Sequence, residues 1–369
     1  MQENSGPQLP YGTEPPGPVH QPWRAGSPES APAPGSYGGQ PVPGASPYGG
    51  QPYPGHPAYP GAPLPQRVSW FAPTPSGARY DHLARTPLAR PWRQIVGTLA
   101  VAVGFLAVGI VVVLAGTVFA TLAGLPMPIT PDETFGDPVF GMAVLLLSIA
   151  AVLPLVFGTA ALVQRRRPGT LSSVAGRLRW PWLLWCAGLA VLALVLGQAA
   201  HAVTLALSGE DTSDMFGWAG WNEFLPALVV IVLLVPFQAA AEEYIFRGWV
   251  LQAVGAHVRN PVWAIVLGAA LFASLHGYTG AGIVDVFAFG AVMGWLAVRT
   301  GGLEAPIALH VVNNMMAFGL SAAAGNLDDA LRQGAVPWQA LAGTAVQLGV
   351  FTGGVLYLAK KRSISVFSG

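Results

Sequence analysis

The sequence predicts an all-α membrane protein, a helical bundle of about eight transmembrane helices preceded by a disordered N-terminal tail. Of its 369 residues, 53% are hydrophobic and only 9% are charged, whereas a soluble globular domain carries about 25% charged residues. The hydrophobic residues fall into runs long enough to cross a bilayer, which takes roughly 20 residues of helix. Most of the 34 prolines lie before these runs, which predicts two regions of different character.

The predicted tail covers residues 1–90 and is rich in proline, glycine and tyrosine, with a near-repeat of Tyr-Gly-Gly-Gln-Pro at Tyr37 and Tyr48. Proline favours extended conformers, and the few branched aliphatic residues cannot compensate for the entropy lost on ordering. The first five residues show no basic segment followed by an apolar one, so no cleavable signal peptide is predicted. We therefore expect the first membrane helix to direct insertion.

Eight apolar runs mark the predicted transmembrane helices. Their approximate limits are 94–124, 138–163, 181–207, 224–247, 261–277, 281–299, 305–323 and 339–359. The fifth and the seventh are short and weakly bounded. Residues 91–220 would thus form the N-terminal membrane helices, and residues 326–369 the last helix with a basic C-terminus.

Basic and acidic residues alternate between successive connections. The basic set comprises Arg85, Arg90, Arg93, Arg165, Arg166, Arg167, Arg177, Arg179, Lys360, Lys361 and Arg362. The acidic set comprises Asp132, Glu133, Asp137, Glu210, Asp211, Asp214, Glu223, Asp328 and Asp329. Because basic connections stay in the cytoplasm, we expect a multi-pass protein of the cell membrane with both termini cytoplasmic. The cluster at residues 165–167 is interpreted as part of this topological signal rather than as a site for lipid head groups.

The composition supports neither nucleic-acid binding nor a site built from cysteines. The net charge of +1 gives no indication of nucleic-acid binding. Cys186 is the one cysteine of the chain, so neither an internal disulfide nor a cysteine-based metal site can form.

Three polar patches interrupt the apolar runs of the C-terminal half, and the first contains Glu242, Glu243 and Arg247. Residues four apart share a helix face, so Glu243 can pair with Arg247, while Glu242 is turned roughly 100° away. Glu242 could then act as a base facing a cavity. The alternative is an interfacial cluster at the cytoplasmic end of the helix, with Arg247 reaching the head groups.

The second and third patches are Phe272 with His276, and His310 with Asn314. Each pair is spaced by four residues, so its two side chains project from one helix face. An interfacial histidine and asparagine-mediated helix contacts are the alternative explanations. Because ionisable groups inside a bilayer are costly, their recurrence on neighbouring helices indicates a shared intramembrane site.

These patches resemble the motifs of the CPBP family, the CAAX prenyl protease and bacteriocin-processing enzymes also called Abi, which are intramembrane endopeptidases. The matching patterns are Glu242-Glu243-x-x-x-Arg247, Phe272-x-x-x-His276 and His310-x-x-x-Asn314. The resemblance covers roughly residues 220–325, so residues 221–325 are identified as CPBP-like catalytic core helices.

The resemblance implies hydrolysis by a water that Glu242 and His276 hold and deprotonate, with His310 and Asn314 stabilising the oxyanion. Glu243 and Arg247 would position the site, supported by Phe272. It implies no metal and no cofactor, and a membrane-associated protein or peptide as substrate, met within the lipid bilayer. No oligomeric state is indicated. The cavity is expected to open toward the cytoplasm, because Glu242 and His310 are predicted near cytoplasmic helix ends.

Three alternatives stay open. A zinc peptidase could use His276, His310 and a glutamate as ligands, although the chain has no His-Glu-x-x-His motif. A non-catalytic membrane scaffold or immunity factor could keep the same fold. A transporter could line its path with the same buried charges.

Overall fold

The computed structural model describes residues 69–126, 128, 135–210 and 217–369, and it is a helical membrane protein as predicted. Seven helices in this part of the chain are long and apolar enough to cross a membrane. An eighth apolar helix has 14 residues and rises only about 21 Å, less than the roughly 30 Å of a hydrocarbon core. Most of the predicted tail and the connections around residues 129–134 and 211–216 lie outside the described residues.

The helix boundaries follow the predicted runs closely, except in the second and fourth. The helices are α1 (Pro91–Ala123), α2 (Pro138–Ala150), α3 (Leu153–Leu162), α4 (Trp180–Leu207), α5 (Trp221–Glu243), α6 (Leu251–Gly255), α7 (Pro261–Ser274), α8 (Ala281–Thr300), α9 (Glu304–Ala324), α10 (Leu327–Arg332) and α11 (Ala340–Lys361). Two strands of two residues each pair in parallel. β1 (Thr279–Gly280) lies between α7 and α8, and β2 (Ala335–Val336) lies before α11. The second run forms two helices, α2 and α3, separated by a turn at residues 151–152 ahead of Pro154.

The fourth helix does not end at residue 247, and this overturns the predicted depth of the first polar patch. It continues from α5 through a π-helical stretch, Tyr244–Val250, into α6. Trp249 and Gln252 in this extension are almost fully buried, so packing holds the chain helical beyond Arg247. Glu242 therefore lies about 20 Å along the helix from Gly255 rather than near a helix end.

Connections from distant parts of the sequence meet at one end of the bundle, which we call the basic end. Isolated bridges join Ala72 to Arg166, Arg79 to Phe367 and Ser173 to Gly302 there. The Gly77 amide also donates to the Ser368 carbonyl over 2.9 Å. The described N-terminal segment and the C-terminus thus lie at the same end, as expected for an even number of passes if the short α7 counts as one.

The boundary of the predicted tail is wrong at its C-terminal side, because residues 69–90 pack against the basic end. Tyr80 is completely buried, and its hydroxyl donates to the Leu171 carbonyl. Asp81 is also buried and accepts two hydrogen bonds from Arg79, at 3.0 and 2.8 Å. One buried aromatic side chain and one partly exposed ion pair anchor this segment despite its proline-rich surroundings.

Glycines allow α8 to lie close to α7, because small residues let two helix backbones approach. A Cβ atom on Gly290 would lie 3.1 Å from the Ala269 Cα, and one on Gly294 would lie 3.4 Å from the Ile265 side chain. This contact places the Phe272 end of α7 beside α8, next to the polar patches.

Candidate active site

The first and third polar patches come together in a buried ionic cluster between α5 and α9. Glu243 is fully buried and Arg247 is 2% exposed. Their side chains form the expected i,i+4 pair, with Arg247 Nη1 donating to Glu243 Oε1 over 2.7 Å. The geometry agrees with the prediction because both partners lie on one continuous helix.

His310 lies between the two carboxylates. Its Nδ1 is 2.7 Å from Glu243 Oε1, and its Nε2 is 3.3 Å from Glu242 Oε2. The second contact is within ion-pair distance, but its angles are not those of a hydrogen bond, and Glu242 Oε2 is buried without a hydrogen-bond partner among the described residues. Since the ionised Glu243 only accepts, the His310 Nδ1 carries the proton in this pair, and Nε2 faces Glu242.

The π-helical stretch begins directly after Glu243. Such stretches are rare and often occur at functional sites, because the extra residue in the turn displaces the side chains that follow. It spans residues 244–250 and includes Arg247, so the cluster lies where the long helix departs from regular geometry.

Aromatic rings of α7 and α8 close one side of the cluster. The Phe272 ring centre is 5.8 Å from that of His310, and the Arg247 guanidinium lies 4.2 Å from the Phe272 ring centre. Phe289 on α8, which the sequence analysis did not single out, lies 5.5 Å from the His310 ring. These rings remove water from the ion pair and add a cation–π contact.

His276 is beside the cluster but not bonded to it. Its ring centre is 4.4 Å from that of Phe272, as the spacing predicts, and its Nδ1 lies 2.7 Å from the Phe272 carbonyl oxygen, which can only accept. In the described chain, no hydrogen bond or ion pair joins His276 to Glu242. The sequence analysis expects Glu242 and His276 to hold a common water rather than to bond directly, and this stays a prediction. The imidazole in direct contact with Glu242 is that of His310.

Asn314 faces α5 together with His310, as predicted for residues one helical turn apart. Its Nδ2 donates to Gln238 Oε1 over 3.1 Å. Gln238 is 4% exposed and precedes Glu242 by one turn. Sequence reasoning missed Gln238, although its spacing of four from Glu242 was available as a signal. Asn313 points elsewhere, accepting from Gln347 of α11 over 3.2 Å.

Glu242 and His276 lie at similar depths along their helices. His276 follows the start of α7 by 15 residues, about 22 Å, which is close to the 20 Å that separates Glu242 from Gly255. Because Glu242 is not near a helix end, the reason for expecting a cavity open to the cytoplasm no longer holds for that residue. His276 and Asn314 are half-buried, whereas Glu242 and His310 are buried.

The zinc alternative is not supported by the arrangement of donors. Within the described ranges, no group of three histidine, cysteine, aspartate or glutamate side chains is placed to hold a metal ion. The His276 and His310 rings both lie against the Phe272 ring, and they do not converge on one position where a metal ion could bind.

Comparison with known proteins matches the region that contains the cluster. Residues 221–316 match the family of type II CAAX prenyl endopeptidases, Rce1-like. A relative in Bacillus subtilis (strain 168), "Uncharacterized protein YyaK", is 35% identical over 102 residues, which are 26% of this chain and 34% of that protein. The chain thus matches about a third of the length of this curated relative. No solved structure matches the chain.

The match covers α5, the π-helical stretch, α7, α8 and most of α9, the elements that carry all three polar patches. The resemblance inferred from those patches is thereby confirmed. The part of the chain that carries the polar patches, residues 221–316, is thus similar to the Rce1-like type II CAAX prenyl endopeptidases, the CPBP or Abi family.

Proposed function

We propose that this protein is an intramembrane endopeptidase that hydrolyses a peptide bond of a membrane-associated protein or peptide. The observation that carries the proposal is the cluster of two glutamates, an arginine and a histidine buried between helices that span the membrane. Glu243 balances Arg247, so these two groups form a neutral pair. Among the described residues, no arginine or lysine forms an ion pair with Glu242, which suits a general base.

In the proposed mechanism Glu242 deprotonates a water that attacks the scissile carbonyl. His310 is held by Glu243 through Nδ1, so its Nε2 can exchange a proton with Glu242 or donate to the developing oxyanion. Asn314 supplies an amide donor from the next turn of α9. His276, half-buried beside Phe272, would contact the water or the substrate from the more exposed side.

The mechanism needs no metal, since every step uses groups of this chain. A chelator therefore should not alter proteolysis by the purified enzyme, whereas the zinc alternative predicts inhibition that added zinc reverses. The scaffold and transporter alternatives predict no cleavage at all. The family match favours the peptidase over both of them.

Membrane proteomes of cells carrying the wild type or Glu242→Gln test the proposal directly. Glutamine keeps the size of the side chain but cannot accept a proton, so uncleaved precursors are expected to accumulate while the protein stays at its normal level. Asn222→Ala, at the exposed start of the same helix, is the matched control and should leave cleavage unchanged. Normal processing in the Glu242→Gln strain would argue for the scaffold.

Gln238 is expected to act as a positioning residue through Asn314. Gln238→Met keeps the volume but removes the acceptor oxygen, so Asn314 loses its orientation. A misplacement of about 1 Å in a catalytic site can cost about 100-fold in rate, and we expect kcat to fall by up to that factor with little change in KM. The measurement is peptidase kinetics in detergent, and an unchanged kcat in Gln238→Met would exclude the role.

The orientation in the membrane is also a proposal. Arginines 165–167, 177 and 179 and the C-terminal basic residues 360–362 all belong to the basic end. The positive-inside rule then places that end, and with it both termini, in the cytoplasm.

A further inference from the structure

The connection between α10 and α11 contacts the chain directly after His276. The Gly277 amide donates to Gln333 Oε1 over 2.6 Å, and the Thr279 amide donates to the Gly334 carbonyl over 3.1 Å. The parallel pairing of β1 with β2 continues this contact by two residues. A side chain 56 residues further along the sequence therefore holds the connection that begins at His276.

Gln333 has a backbone conformation that favours glycine. Its φ is 58° and its ψ is −129°, a combination in which a Cβ atom crowds the backbone. Such strain persists only where the surrounding structure imposes it, and it is concentrated at functional sites. Glycine at residue 333 would relieve the strain but would leave the Gly277 amide without the side-chain oxygen that now accepts from it.

The orientation of His276 depends on the segment that follows it, because α7 ends at Ser274. The His276 Nδ1 donates to the Phe272 carbonyl over 2.7 Å, so Nε2 is the ring nitrogen left for water or substrate. The imidazole lies between two aromatic rings. Its centre is 4.4 Å from that of Phe272 and 6.2 Å from that of Tyr278, which is nearly parallel to it at 11°.

Tyr278 directly follows Gly277, the residue that Gln333 holds. A shift of the Gly277 backbone would thus move both the imidazole before it and the ring that stacks on the imidazole. No hydrogen bond or ion pair joins Gln333 to Glu242, Glu243 or His310 in the portion of the chain that the structure describes. Any effect of Gln333 on the site must therefore pass through His276.

We propose that Gln333 is a positioning residue for His276. Its side-chain oxygen fixes the Gly277 amide, and this contact directs the imidazole toward the site. The strained backbone at residue 333 is retained because glycine could not supply that oxygen. The inference rests on the proposed peptidase function, in which His276 contacts the attacking water or the substrate.

Gln333→Gly and Gln333→Ala separate positioning from stability. Both variants remove the acceptor oxygen, but only glycine relieves the strained backbone. We therefore expect Gln333→Gly to unfold in detergent at a temperature about 2–4 °C above that of Gln333→Ala. Both variants should lose kcat to the same extent, by up to about 100-fold, with little change in KM, because the imidazole is misplaced in each.

Two further variants serve as rescue and control. Gln333→Glu keeps the length of the side chain and an acceptor oxygen, so its kcat should stay close to that of the wild type. Asn326→Ala changes an exposed residue seven positions earlier, whose side chain caps no helix. It should alter neither the kinetics nor the unfolding temperature.

Hydrogen exchange of the Gly277 amide provides a measurement that does not depend on peptidase activity. Exchange should be faster in Gln333→Gly and Gln333→Ala than in the wild type and in Gln333→Glu. Equal exchange in all four proteins would overturn the proposal, because the side chain would not hold this amide.

The kinetic outcomes also distinguish this inference from the proposed function. A kcat in Gln333→Gly equal to that of the wild type would exclude the positioning role, and so would a kcat that follows the unfolding temperature across the variants. Absence of cleavage by the wild type would instead remove the proposed function, and this inference with it.

Discussion

Replacing Glu243 with glutamine is expected to lower the free energy of unfolding by about 3–5 kcal/mol, the usual effect of removing one partner of a buried ion pair. Glutamine has nearly the same shape, so the change removes charge rather than volume. Arg247, at 2% exposure, would lose the carboxylate 2.7 Å away and would remain charged in an apolar environment. His310 would exchange the charged acceptor of its Nδ1 proton for a weaker, neutral amide oxygen.

The measurement is unfolding in mixed micelles of detergent and dodecyl sulfate. Glu223→Gln provides the control, because Glu223 lies in the exposed first turn of the same helix. That substitution weakens only a favourable charge at a helix N-terminus, worth up to about 1 kcal/mol. A loss in Glu243→Gln no larger than in Glu223→Gln would show that the buried pair does not stabilise the fold.

A double variant separates charge from packing. Arg247→Met combined with Glu243→Gln removes both charges, so no unpaired guanidinium is left in the core. Replacing a whole buried pair is often nearly neutral, whereas breaking it is not. We therefore expect the double variant to be more stable than Glu243→Gln alone, although its peptidase activity should be reduced because His310 is held by a neutral acceptor instead of a carboxylate.

The part of the site that the sequence predicts correctly is the part that depends on one helix. Glu243 and Arg247 pair because residues four apart share a face, and Phe272 contacts His276 for the same reason. Contacts between helices were not predictable in this way. The approach of His310 to both carboxylates depends on how α9 packs against α5, which spacing along the chain does not determine.

Two predictions of the sequence analysis depend on one expectation, that a charge in an apolar protein lies at the interface. The predicted helix end at Arg247 is wrong, whereas the topological role of Arg166 stays a prediction. Both arginines are buried instead. Arg247 has a carboxylate on its own helix, and Arg166 donates to Gln164, Thr170 and the distant Gln252. Burial is thus compensated by partners that composition alone does not reveal.

Gly302→Ala is expected to destabilise the basic end through a second buried ion pair. Glu304 begins α9, one residue before the predicted run, and the sequence analysis did not identify its partner, Arg179. Arg179 Nε and Nη2 donate to the two Glu304 oxygens over 2.8 and 2.7 Å, and the Arg179 amide adds a bond of 2.9 Å. Glu304 is fully buried, so this bidentate pair joins α9 to the segment before α4.

An added methyl group at residue 302 has no room. Its carbon would lie 2.4 Å from Glu304 Oε2, 2.6 Å from Ser173 Cβ and 2.7 Å from Arg179 Nη2. The Glu304 carboxylate and the Arg179 guanidinium cannot move independently to make room, because each is hydrogen-bonded to the other. We expect a loss of about 3 kcal/mol in the free energy of unfolding, at the lower end of the range for breaking a buried pair.

Gly319→Ala, in the interior of α9, is the matched control for this substitution. No atom lies within 4 Å of a Cβ at residue 319, so alanine there should stabilise the helix by about 0.5–1 kcal/mol. Opposite signs for the two variants, measured by the same unfolding assay, would identify the ion pair as the element that glycine accommodates. A Gly302→Ala variant as stable as the wild type would contradict the close packing of Ser173, Arg179 and Glu304 around residue 302.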